Sequence, residues 1–281
     1  MNQPQLEGAG VDRGLIDQGL LAALTRAVAR AAAATLGAVR TDLNVRTKAD
    51  GSPVTDADER SQAILLEAVG QLMPGVAVVS EEMASHPTQL GEVFVLIDPL
   101  DGTKEYVAGS SEYTVNLGIM RDRAPLAGIV AVPAGGLIYR GIVGRGAQRL
   151  AMTQEGEIAP DARPIAVRPA PQGALIAAVS RSHLDAATVA LLDRLGVATR
   201  APCGSALKFC RVAEGAADVY PRLATTCEWD VAAGHALVAA AGGSVTLPDG
   251  SALRYGRADS DFRIAAFIAW GDRDGVLGSA A

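Results

Sequence analysis

The chain has 281 residues, 49% of them apolar, and a formal net charge of −6. That is enough apolar material for one large domain or two lobes with substantial cores, and it excludes wholesale disorder. The negative balance excludes a general nucleic-acid binder, though not a small phosphorylated ligand, because a bound divalent ion reverses the local sign.

Residues 1–13 read as a flexible tail with no apolar core of a signal peptide. Leu15 to Val39 is rich in Ala and Leu, lacks Pro and predicts a long helix, which Arg26 and Arg30 interrupt as a membrane span. A Gly-, Ser- and Pro-containing loop at 48–53 leads to a second helix from Ala57 to Leu72, stopped by Pro74-Gly75. Val76 to Ser80 and Val93 to Asp98 predict strands. Further β-like segments follow near 112–120, 125–132, 137–143 and 163–168. The second half alternates: a strand at Leu175 to Ser180, helices at 185–195 and 204–215, and a short strand at Asp218 to Tyr220. A helix at 229–241 and strands at Val245 and Ile264 to Ala269 complete it. The boundary falls near 155–162, giving an N-terminal α+β lobe over 14–160 and a C-terminal α/β lobe over 161–281.

Acids gather at the ends of these elements. Glu81 and Glu82 follow one strand, Asp98 and Asp101 the next; Asp58 and Asp230 lie in the first turns of helices. An acid at a helix start also complements the helix dipole, which accounts for Asp58 or Asp230 taken alone but not for Glu81 or the Asp98/Asp101 pair. Asp98-Pro99-Leu100-Asp101-Gly102-Thr103 has a turn as its competing reading, since Pro, Asp and Gly are common turn formers. Unpaired buried carboxylates are costly and normally hold a cation, and an all-oxygen set suits Mg²⁺. Neighbouring strand ends would bring these acids together around two or three ions, fit for in-line phosphoryl hydrolysis. Gly102 and Thr103 offer backbone N–H groups for phosphate oxygens, and Thr103 beside Asp58 forms a water-activating pair.

Four ordered segments carry a resemblance: Pro53-Val54-Thr55-Asp56-Ala57-Asp58, Val79-Ser80-Glu81-Glu82, Ile97 to Tyr106, and Glu228-Trp229-Asp230-Val231-Ala232-Ala233-Gly234. Together they resemble the inositol monophosphatase superfamily of Mg²⁺-dependent, lithium-sensitive phosphatases, over roughly residues 15–277. The resemblance implies a layered α/β sandwich with the cleft between two lobes. It implies metal ligands at Glu81, Asp98, the Leu100 carbonyl, Asp101 and Asp230, with Glu81 also catalytic. It further implies the Thr103–Asp58 pair as the water-activating unit, with Lys48 near a further metal or water site.

Lys104-Glu105-Tyr106, and the stretch Gly204 to Gly215 with Tyr220-Pro221-Arg222, are similar to the 3'(2'),5'-bisphosphate nucleotidase branch of the CysQ type. Tyr106 stands where that branch carries Phe. The branch implies substrate contacts at His183, Ser205, Lys208 and Arg222, beside Gly102, Thr103 and Asp230. Its substrate is adenosine 3',5'-bisphosphate, cleared during sulfur assimilation by attack of an activated water without a covalent intermediate. Read from the residues alone, Gly204-Ser205 caps the helix 205–215 and Lys208 lies one turn in, either as a phosphate cradle or as an exposed Lys on an ordinary capped helix. Arg222 either grips phosphate bidentately or lies on the surface after Pro221. His183 either caps the next helix or touches a base or ribose.

Cys203, Cys210 and Cys227, an odd count without a C-x-x-C pair, point to reduced thiols in a cytoplasmic protein. Cys210 reads as core filling, and Cys227 as a thiol whose oxidation would inhibit through nearby Asp230. Two other functions compete: an inositol or sugar phosphatase of the same superfamily, and a non-catalytic metal- or nucleotide-binding regulator. The partner expected is a small phosphorylated nucleotide, with no nucleic acid and no membrane association indicated, in a monomer or a homodimer.

Overall fold

The computed structural model describes residues 16–37, 44–48, 51–171, 173–181 and 184–279. The expected tail at 1–13 and His183 lie outside the described residues. Helix α1 (Gln18–Gly37) precedes two short paired strands, β1 (Arg46–Thr47) and β2 (Pro53–Val54), and helix α2 (Asp56–Leu72). Seven strands then form one sheet in chain order: β3 (Ala77–Ser80), β4 (Val93–Asp101), β5 (Thr114–Arg121), β6 (Ala124–Val132), β7 (Leu137–Ile142), β8 (Gly146–Ala151) and β9 (Arg163–Ile165). β3 and β4 run parallel; the remaining neighbours are antiparallel. A short helix α3 (Thr103–Val107) leaves the end of β4.

A second sheet of five strands has the order β11-β10-β12-β16-β14. Its strands are β10 (Ile176–Ser180), β11 (Thr199–Cys203), β12 (Val219–Arg222), β14 (Ser244–Thr246) and β16 (Phe267–Trp270). Helices α4 (Ala186–Arg194), α5 (Leu207–Ala213), α6 (Glu228–Ala240) and α7 (Arg273–Ser279) connect or follow them. A separate pair joins β13 (Thr226–Cys227), just before α6 in the chain, to β15 (Arg263–Ile264), well after it.

Side-chain alternation fixes the layering. Along β4, Val95 and Ile97 pack with Leu24, Val28 and Leu65 of α1 and α2, whereas Phe94 and Leu96 join Val231, Leu237 and Val238 of α6. Burial on both faces explains why Val93 to Ile97 is a continuous apolar run. The second sheet repeats the pattern. Ala178, Phe267 and Ala269 face the α5/α6 layer, while Ala177, Val179, Ile268 and Trp270 pack with Leu192 of α4 and Val276 of α7. The result is a layered α/β sandwich in the order helix, sheet, helix, sheet, helix. Helix α1 is long and apolar enough, by length and composition, to cross a membrane. Here it is a core helix, with Leu21, Leu24, Val28 and Ala32 buried.

One device sets the seat of α6. Gly118, Gly128 and Gly141 stand side by side across β5, β6 and β7. A Cβ at Gly118 would lie 2.8 Å from the Ala232 Cβ, one at Gly141 2.6 Å from the Ala240 Cβ, and one at Gly128 would overlap the Ala233 carbonyl. The bare glycine row lets an Ala-rich helix lie directly on the sheet, and so fixes the first turn of α6, which carries Asp230.

Several expected elements differ. The stretch expected as one strand, Ile264 to Ala269, is two strands in different sheets, β15 and β16. β8, β11 and α7 are additional elements. The expected helix 204–215 begins only at Leu207, because Ser205 takes a left-handed backbone (φ 52°).

Candidate active site

Three segments deliver carboxylates to one point. Glu81 follows β3, Asp98 lies near the end of β4, and Asp230 is in the first turn of α6. One carboxylate oxygen from each lies within 4.8 Å of the others. The end of β4 is irregular: its register with β5 shifts between Asp98 and Asp101, the kink that turns both acids toward the site. Asp98 is 1% exposed; its Oδ1 accepts from the Leu100 N–H at 3.0 Å and its Oδ2 is buried without a partner. Burial, then the charges of Glu81, Asp101 and Asp230, push its carboxyl well above the usual carboxylate range. Burial, with the charges of Asp230 and Glu82, raises Glu81 to about 7 against the pull of the Lys48 ammonium, and burial with Asp230 raises Asp101 to about 6 against Lys208 and Arg222. An orphaned buried carboxylate oxygen among repelling acids is the condition a hard divalent cation relieves, so these oxygens fit Mg²⁺.

Asp101 falls outside the triad of Glu81, Asp98 and Asp230 but adjoins it. Its Oδ2 accepts from Thr114 Oγ1 (3.3 Å) and Asn116 Nδ2 (3.5 Å), two polar side chains of β5 that the sequence reading missed. A buried Asn in the apolar run Thr114-Val115-Asn116-Leu117 was the available signal. The Leu100 carbonyl, an expected ligand, accepts from Thr103 Oγ1 at 3.1 Å. Lys48 bridges Glu81, at 2.8 Å, and Glu82.

Thr103 and Asp58 meet as expected, with Thr103 Oγ1 3.0 Å from Asp58 Oδ1. The helix-start reading of Asp58 holds at the same time. Its Oδ2 accepts from the Thr55 N–H (2.8 Å) and hydroxyl (2.6 Å), closing a capping box on α2. One oxygen thus anchors the helix and the other faces Thr103. Asp58 is fully buried, and burial raises its carboxyl. Asp230 is likewise the third residue of a capping box, accepting from the Cys227 N–H at 3.0 Å and from the Thr226 hydroxyl.

Glu81, Asp98, Asp101 and Asp230 line a cavity of about 380 Å³ that also includes Gly102, Thr103, Ser205, Lys208 and Arg222. Five cations line it as well. Arg181 pairs with Glu112, while Lys104, Lys208, Arg222 and Arg263 form no ion pair among the described residues, although Lys208 and Arg222 lie close enough to Asp101 to hold its carboxyl down. Arg222 keeps a buried, unpartnered Nε, makes a long contact, 3.5 Å, to the Thr225 carbonyl, and lies beside Tyr220. It is therefore no simple surface Arg. Lys208 is 3% exposed, so the exposed-Lys alternative fails. Its Nζ donates to the Ser205 carbonyl at 2.7 Å and lies 5.1 Å from the centre of the Tyr220 ring. Ser205 is not the helix cap expected of it; Ala206 holds that position, and the Ser205 hydroxyl reaches the Asp101 and Glu112 carbonyls. Arg263, on β15 opposite Cys227, was also missed.

All three cysteines are free. Cys210 is fully buried core filling, as expected. Burial and the neighbouring Asp230 push the Cys227 thiol up to about 12, so little of it is the reactive thiolate.

The inositol monophosphatase family profile matches residues 17–271. The chain belongs to the inositol monophosphatase family. It is 38% identical over 215 residues to the 3'(2'),5'-bisphosphate nucleotidase CysQ of Escherichia coli strain K12, a match covering 76% of this chain and 83% of that protein. Its fold is similar to the crystal structure of CysQ from Bacteroides thetaiotaomicron (TM-score 0.78, 30% identity), covering 92% of this chain and 99% of that one. It is also similar to an inositol monophosphatase from Anabaena (TM-score 0.71, 26% identity), covering 94% and 95%. In this family member, then, the acid cluster and Thr103, with Asp58 buried behind it, share one cavity with four cations that form no ion pair among the described residues.

Proposed function

We propose that this chain is a Mg²⁺-dependent 3'(2'),5'-bisphosphate nucleotidase that removes the 3'-phosphate of adenosine 3',5'-bisphosphate, giving AMP and phosphate. The observation that carries the reading is the make-up of the cavity. It joins a cluster of mutually repelling acids to four cations, Lys104, Lys208, Arg222 and Arg263, that form no ion pair among the described residues. A substrate with one anionic group leaves these cations unneutralised; one with two phosphates satisfies both. The CysQ-named relatives support the same choice.

Glu81, Asp98, Asp101, Asp230 and the Leu100 carbonyl would hold the metal, in two or three ions. When bound there, Mg²⁺ supplies charge neutralisation at the phosphate and acidifies water. The residues do the rest. Asp58 Oδ1 accepts the Thr103 proton, which orients the Thr103 oxygen to accept in turn from an attacking water. Burial, by raising the Asp58 carboxyl, makes it a better proton acceptor than an exposed Asp. Gly102 and Thr103 N–H groups would hold phosphate oxygens, and Arg222 and Lys208 would face the second phosphate, with His183 at the nucleoside. We assign the enzyme to the cytoplasm, with a role in clearing a by-product of sulfur assimilation.

The test is phosphate release from adenosine 3',5'-bisphosphate, inositol 1-phosphate and fructose 1,6-bisphosphate in parallel, with Mg²⁺ and with excess EDTA. An EDTA-sensitive preference for the nucleotide is expected. Preference for either of the others discards the substrate assignment, and silence on all three favours a non-catalytic regulator.

A further inference from the structure

The turn between β11 and α5 reaches across to the end of β4. Ser205 takes a left-handed backbone (φ 52°), which side chains other than glycine rarely adopt, and Ala206 after it is right-handed (φ −68°). That sequence of conformations turns successive groups of the turn to one side. The Ser205 Oγ lies 2.8 Å from the Asp101 carbonyl and 3.0 Å from the Glu112 carbonyl. The Ala206 N–H reaches Thr114 Oγ1 at 3.3 Å, and it also helps to hold the Asp101 carboxyl down. Gly102, next to Asp101, has φ 93°, and a Cβ there would overlap the Ser205 Oγ.

The turn is itself braced. The buried Lys208 ammonium donates to the Ser205 carbonyl at 2.7 Å and to the Cys203 carbonyl at 3.4 Å. Glu112 accepts from the Gly204 N–H at 3.0 Å and grips Arg181 with both oxygens, at 2.9 and 3.1 Å. A Cβ at Gly204 would lie 2.6 Å from the Glu112 carbonyl, so the two turns fit without slack.

We infer that Ser205 is a positioning residue for Asp101, a latch that sets one acid of the metal cluster from the second sheet's side, and not a contact to the substrate. This departs from the role that the resemblance implies for Ser205, and it rests on the metal-site reading above. The one proton of the serine hydroxyl is shared between the Asp101 and Glu112 carbonyls and its own carbonyl accepts from Lys208, so the hydroxyl has no proton to spare for a phosphate oxygen.

The test uses Ser205→Ala and Ser205→Gly. Each is titrated calorimetrically with Mn²⁺ in the absence of substrate, and each is assayed for KM at saturating metal. Loss of the latch is expected to weaken Mn²⁺ binding about tenfold in both variants, the scale of one hydrogen bond to a buried acceptor, with KM changed less than twofold. Ser205→Gly removes the side chain while relieving the left-handed backbone, so its thermal midpoint should be no lower than that of Ser205→Ala. Weak metal binding in it is then not misfolding. Wild-type Mn²⁺ affinity in either variant overturns the inference, and so does a tenfold rise in KM at saturating metal, whatever the metal titration gives. The titration contains no nucleotide, so its outcome does not depend on the substrate assignment.

Discussion

Asp101→Asn should make the metal-free protein more stable and catalytically dead. In the fold Asp101 titrates at about 6, raised first by burial and then by Asp230, against an ordinary value of 3.8. At about 1.4 kcal/mol for each tenfold, keeping it ionised in the metal-free protein at pH 8 costs about 3 kcal/mol. The sign follows from proton binding. The folded state holds this proton more tightly than the unfolded chain, so the penalty is absent below pH 3.8, grows as pH rises, and is complete above pH 6. Asparagine removes the charge and keeps an oxygen to accept from Asn116 and Ala206, but its new N–H₂ lacks an evident acceptor, which returns about 1–2 kcal/mol. The net gain is about 1–2 kcal/mol, or about 2–4 °C in melting temperature for a chain of this size. Thermal denaturation in EDTA at pH 8 and pH 5 measures it, and the gain at pH 5 should be at most about half that at pH 8. Mg²⁺ should raise the wild-type midpoint and leave the variant's nearly unchanged. A variant less stable than wild type in EDTA at pH 8, or one that retains wild-type turnover, would refute the argument that Asp101 is a destabilising acid kept for a metal.

The same reasoning applies to the cluster as a whole. Glu81 titrates at about 7 and Asp98 well above its ordinary value, so metal-free stability should fall from pH 5 to pH 8 while the Mg²⁺-induced gain rises over the same range, as paired melting curves would register. Gly128→Ala drives a methyl into the Ala233 carbonyl and toward the Ala236 Cβ at 2.9 Å. It should cost about 1–3 kcal/mol in urea denaturation and raise the Mg²⁺ concentration for half-maximal activity, because α6 carries Asp230. Cys227, held protonated by burial and Asp230, should resist iodoacetamide at pH 7.5 and leave activity unchanged under mild peroxide; rapid loss of activity that Cys227→Ser prevents would restore the oxidation-sensitive reading.

Much of the fold was legible where a pattern is local. Val93 to Ile97 reads as a buried strand because both of its faces are covered, and Pro74-Gly75 marks the end of α2. β8 escaped notice because Gln148 and Arg149 break its apolar pattern, and β11 because Pro202 argues against a strand. Pro202 is tolerated there because β11 is an edge strand. The acids of the site were visible as strand ends and helix starts, but Asp58 and Asp230 each had a helix-start explanation and Asp98 to Thr103 a competing turn. Asp58 shows that the two readings need not compete, since one oxygen caps α2 and the other faces Thr103. The work of Ser205 was not legible, because it depends on Asp101 and Glu112, which lie about a hundred residues away in the chain and only the fold brings close. The same holds for the four cations. Lys104, Lys208, Arg222 and Arg263 are scattered along the chain, and nothing local says that they share a cavity and form no ion pair among the described residues.

If the acids take the phosphate that reacts, through the metal, the unpaired cations Lys104, Lys208, Arg222 and Arg263 take a second one. The most direct measurement compares kcat/KM for adenosine 3',5'-bisphosphate and adenosine 3'-monophosphate at saturating Mg²⁺, in the wild type and in Arg222→Ala. The wild type should prefer the bisphosphate by about a hundredfold, the scale of one or two charge-assisted hydrogen bonds, and Arg222→Ala should lose most of this preference. Equal kcat/KM for the two substrates in the wild type would contradict that assignment of the two phosphates.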